Sequence, residues 1–264
     1  KDSTYTLSLL KQKYGLNILA FTMDNGFVSP MTVDNIKAVV EKLGVDHIYF
    51  KPSLATLSRI FKRCAEQAIF PPKCIERASD ICTACMGIVK YAALRQAVEK
   101  DIPMVGFGWS PGQAPLTSSV MRNNPRMVRL TMRTLFDPMY RIAGEAVVPF
   151  FLEERHFSGD LPYFVHPLAF LDYDEDTIYG TISQLGWRKP QGLDANSTNC
   201  LLNSLANIVH RERHGFNPYS FEMANLVRAG CISREEALRK LNDAEDPATV
   251  QAVQRKLNEG AENR

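Results

Sequence analysis

The amino-acid sequence predicts an α/β protein: a parallel sheet with helices on both faces, followed by a mainly helical C-terminal extension. Three observations carry this. Helical apolar spacing alternates with short apolar runs through the first 107 residues. The runs at 17–23, 46–50 and 102–107 are nearly continuous in apolar character, as strands buried on both faces are. After about residue 157 helical patterns replace them.

Taken in order, Leu7, Leu10 and Tyr14 recur at helical spacing over residues 4–14, and Gly15 stands where a left-handed stop is expected. A strand at 17–23 and the polar turn Asp24-Asn25-Gly26 follow, then a helix over 32–43 stopped by Gly44 and a strand over 46–50. Ser53 caps a helix to about residue 67, a cysteine-bearing loop comes next, and a helix over 85–100 leads into the strand at 102–107. Proline, asparagine and arginine crowd 110–133, which reads as a long loop and helix covering a site. Beyond it the patterns predict a strand at 163–167, helices at 174–185 and 196–214, and three further helices. Ser233 with Glu236 three residues on forms a capping box for one of these. The tail from 247 reads as helical and frayed over 261–264. Residues 1–160 are thus expected to form a nucleotide-binding domain. Residues 161–264 form an extension that shapes an acceptor pocket or a homodimer surface.

Across 264 residues, 45% hydrophobic content supports a packed core, and a net charge of +2 makes no general case for a nucleic-acid or membrane partner. No apolar run approaches the roughly 20 residues that span a bilayer, and a cytoplasmic location is the expectation. Six cysteines in such a chain are not a disulfide framework. Cys64 and Cys231 read as core residues of helices. Cys82-Thr-Ala-Cys85, at a helix start, places two thiols on one turn suited to a soft metal. Cys200 is the best third ligand and Cys74 the second choice. The set suits zinc, a [4Fe-4S] cluster, or unmetallated thiols.

The nucleotide chemistry is read from two places. Lys1, Asp2 and Ser3 put a cation, a carboxylate and a hydroxyl at a helix N-terminus, where a pyrophosphate with Mg²⁺ would be held. Thr22, Met23, Asp24 and Asn25 end the next strand, where adenine and ribose would meet the sheet, and Gly106 and Gly108 end a later one and permit close backbone approach. Trp109 and Gln113 are candidate ligand contacts in that loop. Arg122, Arg126, Arg129 and Arg133 form a local basic run suited to phosphate groups, without the interleaved aromatics that base stacking needs, so RNA is the less favoured acceptor. His210 and His214 share a helix face among charged neighbours and read as solvent-exposed.

Lys1-Asp2-Ser3 resembles the last half of the Ser-Gly-Gly-x-Asp-Ser loop of the PP-loop ATP pyrophosphatases, a superfamily of adenine nucleotide alpha hydrolase-like (HUP) fold. The resemblance implies adenylation of a substrate oxygen by ATP, release of pyrophosphate, and displacement of AMP by nitrogen or sulfur. The Ser-Gly-Gly half and its strand would precede Lys1. The chain is therefore expected to be a piece of a longer protein or to carry an impaired nucleotide site. The Cys-x-x-Cys pair, Leu185-Gly186-Trp187 and the Ser-Arg-Glu-Glu helix are similar to the N-acetyl sugar amidotransferase branch. That implies a sugar or nucleotide-sugar acceptor and a glutaminase partner supplying ammonia. A Cys-x-x-Cys pair with a distant third cysteine instead resembles the iron-sulfur tRNA thiolation enzymes and implies a sulfur-donor partner. Nitrogen transfer is the first expectation, iron-sulfur-dependent sulfur transfer the second, and a binding module without catalysis the third.

Overall fold

The computed structural model of the chain describes residues 1–190, 197 and 199–262. Helix α1 (Asp2–Ser8) runs on as a π-helical turn, Leu9–Lys13, and the chain leaves it at Gly15, whose φ of 63° suits glycine. Strand β1 (Leu19–Met23) leads to α2 (Pro30–Leu43). There Ser29 accepts the Thr32 N–H, Pro30 occupies the first helical position, and Gly44 closes the helix in the left-handed conformation. β2 (Asp46–Phe50) and the Ser53-capped α3 (Leu54–Glu66) fall where the sequence places them. After the single turn α4 (Pro72–Ile75), α5 (Asp80–Glu99) begins ahead of the predicted 85 because Ser79 caps it, its hydroxyl accepting the Cys82 N–H. Both members of the cysteine pair therefore lie inside the helix.

The remaining elements are β3 (Met104–Gly106), β4 (Val120–Met121), α6 (Pro125–Ala143), β5 (Tyr163–Val165), α7 (Glu175–Ser183), α8 (Leu202–His214), α9 (Ser220–Arg228), α10 (Arg234–Leu241) and α11 (Pro247–Glu262). α8 starts later than the predicted 196; residues 196 and 198 of that prediction lie outside the described residues, as do 263 and 264 of the predicted frayed tail. Ser233 accepts the Glu236 N–H and so caps α10.

The fold is α/β with parallel pairing, β1 with β2 and β3 with β5. The strands do not join into one sheet: β1–β2 stands as a pair, and β3–β5–β4 forms a second sheet in which β4 runs antiparallel. Periodicity identifies strands but says nothing of which edges meet, so this division was not readable in advance. β1 is nevertheless covered on both faces. Ala20 packs with Tyr5, Val39, Ile178 and Trp187 in one cluster, while Phe21 and Met23 join the main core around Leu57, Ile60, Ile88 and Leu205. Alternate residues of one strand thus enter opposite layers.

The predicted boundary at 160 runs between β4 and β5, which are hydrogen-bonded to each other. α11 also lies on α3, so closely that a Cβ at Gly260 would stand 2.4 Å from Ser58 Oγ. Two side-chain expectations need correction. His210 is 1% exposed, packed between His214 and Phe216, because α8 turns that face inward onto α5. Cys231 lies in the turn between α9 and α10, where Ser233 begins the next helix; Cys64 is a buried core residue of α3, as expected.

Candidate functional site

The loop after β3 lies directly on the first turn of α1. A Cβ at Gly108 would stand 2.3 Å from Ser3 Cα and 2.4 Å from Ser3 N, so only glycine fits there. Lys1, Asp2, Ser3, Gly106 and Gly108 are thereby gathered at one corner of the fold, with Ser3 and Gly106 exposed. Lys1 is already engaged. Its Nζ lies 2.8 Å from Asp2 Oδ1, donates to Tyr173 Oη at 2.8 Å, and pairs with Glu175 Oε1 at 3.0 Å. Tyr173 in turn donates to Asp2, and Lys240 holds the other Glu175 oxygen at 3.0 Å. Burial works against the Lys1 charge, but Asp2, Tyr173 and Glu175 outweigh it and raise the ammonium above the ordinary lysine value.

On its other side the loop meets α9. A Cβ at Gly112 would stand 2.5 Å from the Glu222 carbonyl oxygen, and Glu222 Oε1 accepts the Ser110 hydroxyl at 2.8 Å. Burial pushes Glu222 up to about 7 against that hydrogen bond, and the Asp2 carboxylate adds to the rise. Trp109 stacks on His166 with ring centroids 4.6 Å apart, and Gln113 Oε1 accepts the Ser110 N–H. Both residues expected to contact a ligand thus brace the loop itself. Lys90, on α5, lies over the Phe164 ring at 5.1 Å and makes no ion pair among the described residues. Burial lowers its pKa, and burial with the Lys90 charge brings His166 down to about 4. Glu222, Tyr173, Glu175 and Lys90 could not be picked out from the sequence. Each acts across a long separation with no motif around it.

At the end of β1, Thr22 Oγ1 contacts His47 Nε2 at 3.0 Å and the Met23 side chain is in the core. Asp24 accepts the Gly26 N–H at 2.8 Å and the Tyr49 hydroxyl at 3.1 Å, with Lys51 at 3.5 Å. Asn25 goes elsewhere: its amide donates to Cys85 Sγ at 3.4 Å and to Cys200 Sγ at 3.3 Å. Asn25, expected from the sequence at a nucleotide site, thus directs its side chain to the two cysteines.

The local backbone explains how Cys200 arrives there. Val28 and Cys200 form an antiparallel bridge, Leu201 N–H donates to the Phe27 carbonyl at 2.9 Å, and Ser29 N–H to the Asn199 carbonyl at 3.0 Å. Cys82 and Cys85 come from the first turns of α5, and Cys82 Sγ reaches Asn203 Oδ1 at 3.6 Å. All three cysteines are half-buried. Burial raises the Cys85 pKa, Cys200 and Cys82 add to the rise, and the Asn25 hydrogen bond opposes it. Among the described residues no three His, Cys, Asp or Glu side chains are close enough to share a single metal ion. Three half-buried thiols from two segments, with an N–H donor facing two of them, do fit the thiolate ligation of a larger iron-sulfur cluster.

The arginine run is divided. Arg122 faces Asp160 at 3.5 Å, Arg129 pairs with Glu154 and lies 4.1 Å over the Phe157 ring, and Arg126 and Arg133 are exposed on α6. No helix among the described residues is long and apolar enough to cross a membrane.

No family model matches the chain. It is 23% identical over 250 residues to the uncharacterized protein MJ1599 of Methanocaldococcus jannaschii, covering 95% of this chain and 72% of that protein. Among solved structures it is similar to the U34-tRNA thiolase NcsA from Methanococcus maripaludis, described with its [4Fe-4S] cluster. The identity is 16% and the TM-score 0.43, over 97% of this chain and 69% of that one.

Proposed function

We propose that the chain belongs to a PP-loop-type, ATP-dependent enzyme that replaces an acceptor oxygen with sulfur. The observation that carries this is the meeting of Cys85 and Cys200, distant in sequence, on a single buried amide beside the turn that ends β1. Cys82, Cys85 and Cys200 would hold a [4Fe-4S] cluster. When bound with three protein thiolates, such a cluster supplies an iron position open to a sulfur donor.

The chemistry is adenylation and substitution. The acceptor oxygen attacks the α-phosphorus of ATP, the bond to pyrophosphate breaks, and sulfur then displaces AMP as the carbon–oxygen bond is exchanged for carbon–sulfur. Lys1 and the N–H groups opening α1 are the candidates to neutralise the leaving pyrophosphate, with the Ser3 hydroxyl beside them and Asp2 the candidate for Mg²⁺. Sulfur is preferred to nitrogen because the features shared with the sugar amidotransferase branch serve packing in this chain. Gly186 lies in the turn after α7 with φ 86°, Trp187 packs on Tyr179, and Ser233 caps α10. Cys200, which lies outside that branch's pattern, is the residue brought to the pair.

The test is anaerobic incubation with ferrous iron and sulfide, followed by spectroscopy and a pyrophosphate-release assay with ATP. A brown protein whose absorbance is lost in Cys200→Ala supports the reading. A colourless protein carrying stoichiometric zinc refutes it. Absence of pyrophosphate release, both from this chain and from one preceded by a Ser-Gly-Gly segment, refutes adenylation.

A further inference from the structure

Asn25 is 5% exposed, and its side chain is fully committed. Oδ1 accepts the Phe27 N–H at 2.9 Å, which fixes the amide's orientation because a backbone N–H can meet only the oxygen. The NH₂ group is thereby directed at sulfur, with Cys85 Sγ at 3.4 Å and Cys200 Sγ at 3.3 Å. A thiol is a weak acceptor, and a thiolate or metal-bound sulfur a far better one. The amide is thus matched to the two cysteines in their anionic, ligating form. Its neighbour Asp24 faces Tyr49 and Lys51, so one turn carries a carboxylate on one residue and a sulfur clamp on the next.

We propose that Asn25 is the positioning residue of the cysteine site, holding the Cys85 and Cys200 sulfurs together and donating hydrogen bonds to them when they bind a soft electrophilic centre. In its cluster-bound form this inference rests on the reading above. The clamp itself exists without any cluster. The amide acts through the two sulfurs to which it donates.

Asn25→Asp is the decisive variant, because it keeps an oxygen for the Phe27 N–H and turns a carboxylate oxygen toward the sulfurs. Asn25→Ser, whose hydroxyl can still cap the same turn, is the second. In the metal-free protein, phenylarsine oxide, which condenses with two neighbouring thiols and releases water, reads the clamp. Both variants should need at least tenfold more reagent to half-saturate. In protein loaded with iron and sulfide, a chelator should strip iron at least tenfold faster, the scale of loss for a supporting residue of a metal site. The cluster's midpoint potential should move to more negative values as the donated hydrogen bonds are lost, a shift that a general loss of stability would not produce. Equal arsenical affinity in wild type and both variants would overturn the clamp. Equal stripping rates and potentials would overturn its role toward the cluster. A wild-type protein that takes up no iron, but keeps the tenfold arsenical difference, would sink the cluster reading and leave the clamp standing.

Discussion

Gly108→Ala tests the corner at which the candidate nucleotide residues are gathered. The added methyl carbon would lie 2.3 Å from Ser3 Cα, 2.4 Å from Ser3 N and 2.7 Å from the Asp2 carbonyl carbon, all backbone atoms of the first helical turn. Ordinary contact is about 3.4–4 Å, so the loop must retreat by more than an ångström from α1. No flexible side chain is there to yield. Overpacking of this kind costs about 1–3 kcal/mol. For a chain of this size that lowers the melting temperature by about 2–12 °C. The assay is thermal unfolding followed by circular dichroism, with two controls of the same chemistry. Gly159→Ala has nothing within 4 Å of the new carbon and should leave the melting temperature unchanged. Gly180→Ala, equally open and inside α7, should raise stability by roughly 0.5–1 kcal/mol through helix propensity. A Gly108→Ala protein that melts with the Gly159→Ala control would refute the close packing of the loop on Lys1-Asp2-Ser3.

Arg213 joins the Cys64 and Ala65 carbonyls to the buried Asp80 carboxylate, so Arg213→Ala should destabilise by roughly 3 kcal/mol in denaturant titration; a loss under about 1 kcal/mol would show that Asp80 is satisfied without it. His210 is buried with a pKa brought down to about 4 by burial and by His214, below the ordinary value of 6.5, so the unfolded chain binds the proton first. Its contribution is complete above pH 6.5 and is lost as pH falls toward 4, on the order of 3 kcal/mol in all. His210→Leu should flatten that part of the melting-temperature profile, and an unchanged acid slope would count against it. Glu222 works in the opposite direction: raised to about 7, it makes the fold progressively less stable as pH climbs from 4.5 to 7. Glu222→Gln should remove that decline, and a variant profile parallel to wild type would show that Glu222 ionises normally.

What the sequence disclosed and what it withheld divide along physical lines. β2, α3, the stop at Gly44 and the caps at Ser53 and Ser233 were legible because a cap, a stop and a periodic face are written within a few neighbouring residues. The convergence of Lys1-Asp2-Ser3 with Gly106 and Gly108 followed from where strands of an α/β fold end. The partners of Lys1 were not legible. Tyr173 and Glu175 lie far along the chain, and a tyrosine or glutamate on a short helix carries no mark of what it faces. The contact of Asn25 with the cysteines was not legible for the same reason. Asp24-Asn25-Gly26 is a turn in any context, and only the Val28–Cys200 bridge, formed between distant segments, decides that its amide meets sulfur.

The two sides of the site are differently prepared. On the cysteine side, the hydrogen bonds of Asn25 already point at the atoms that would do the binding. On the proposed nucleotide side, a phosphate reaching Lys1 would have to displace Glu175, Tyr173 or Asp2 from the same ammonium. The exchange is close to balanced, since one charge-assisted contact replaces another and Lys240 remains to hold Glu175. It has a structural consequence all the same. Glu175 opens α7, which packs against α1. An anion that takes Lys1 from it weakens the tie between the two helices, and any contact that tightens α7 on α1 opposes the anion by the same free energy. On the proposed reading of Lys1 as an anion contact, nucleotide affinity and the seating of α7 on α1 would be coupled through the Glu175 carboxylate.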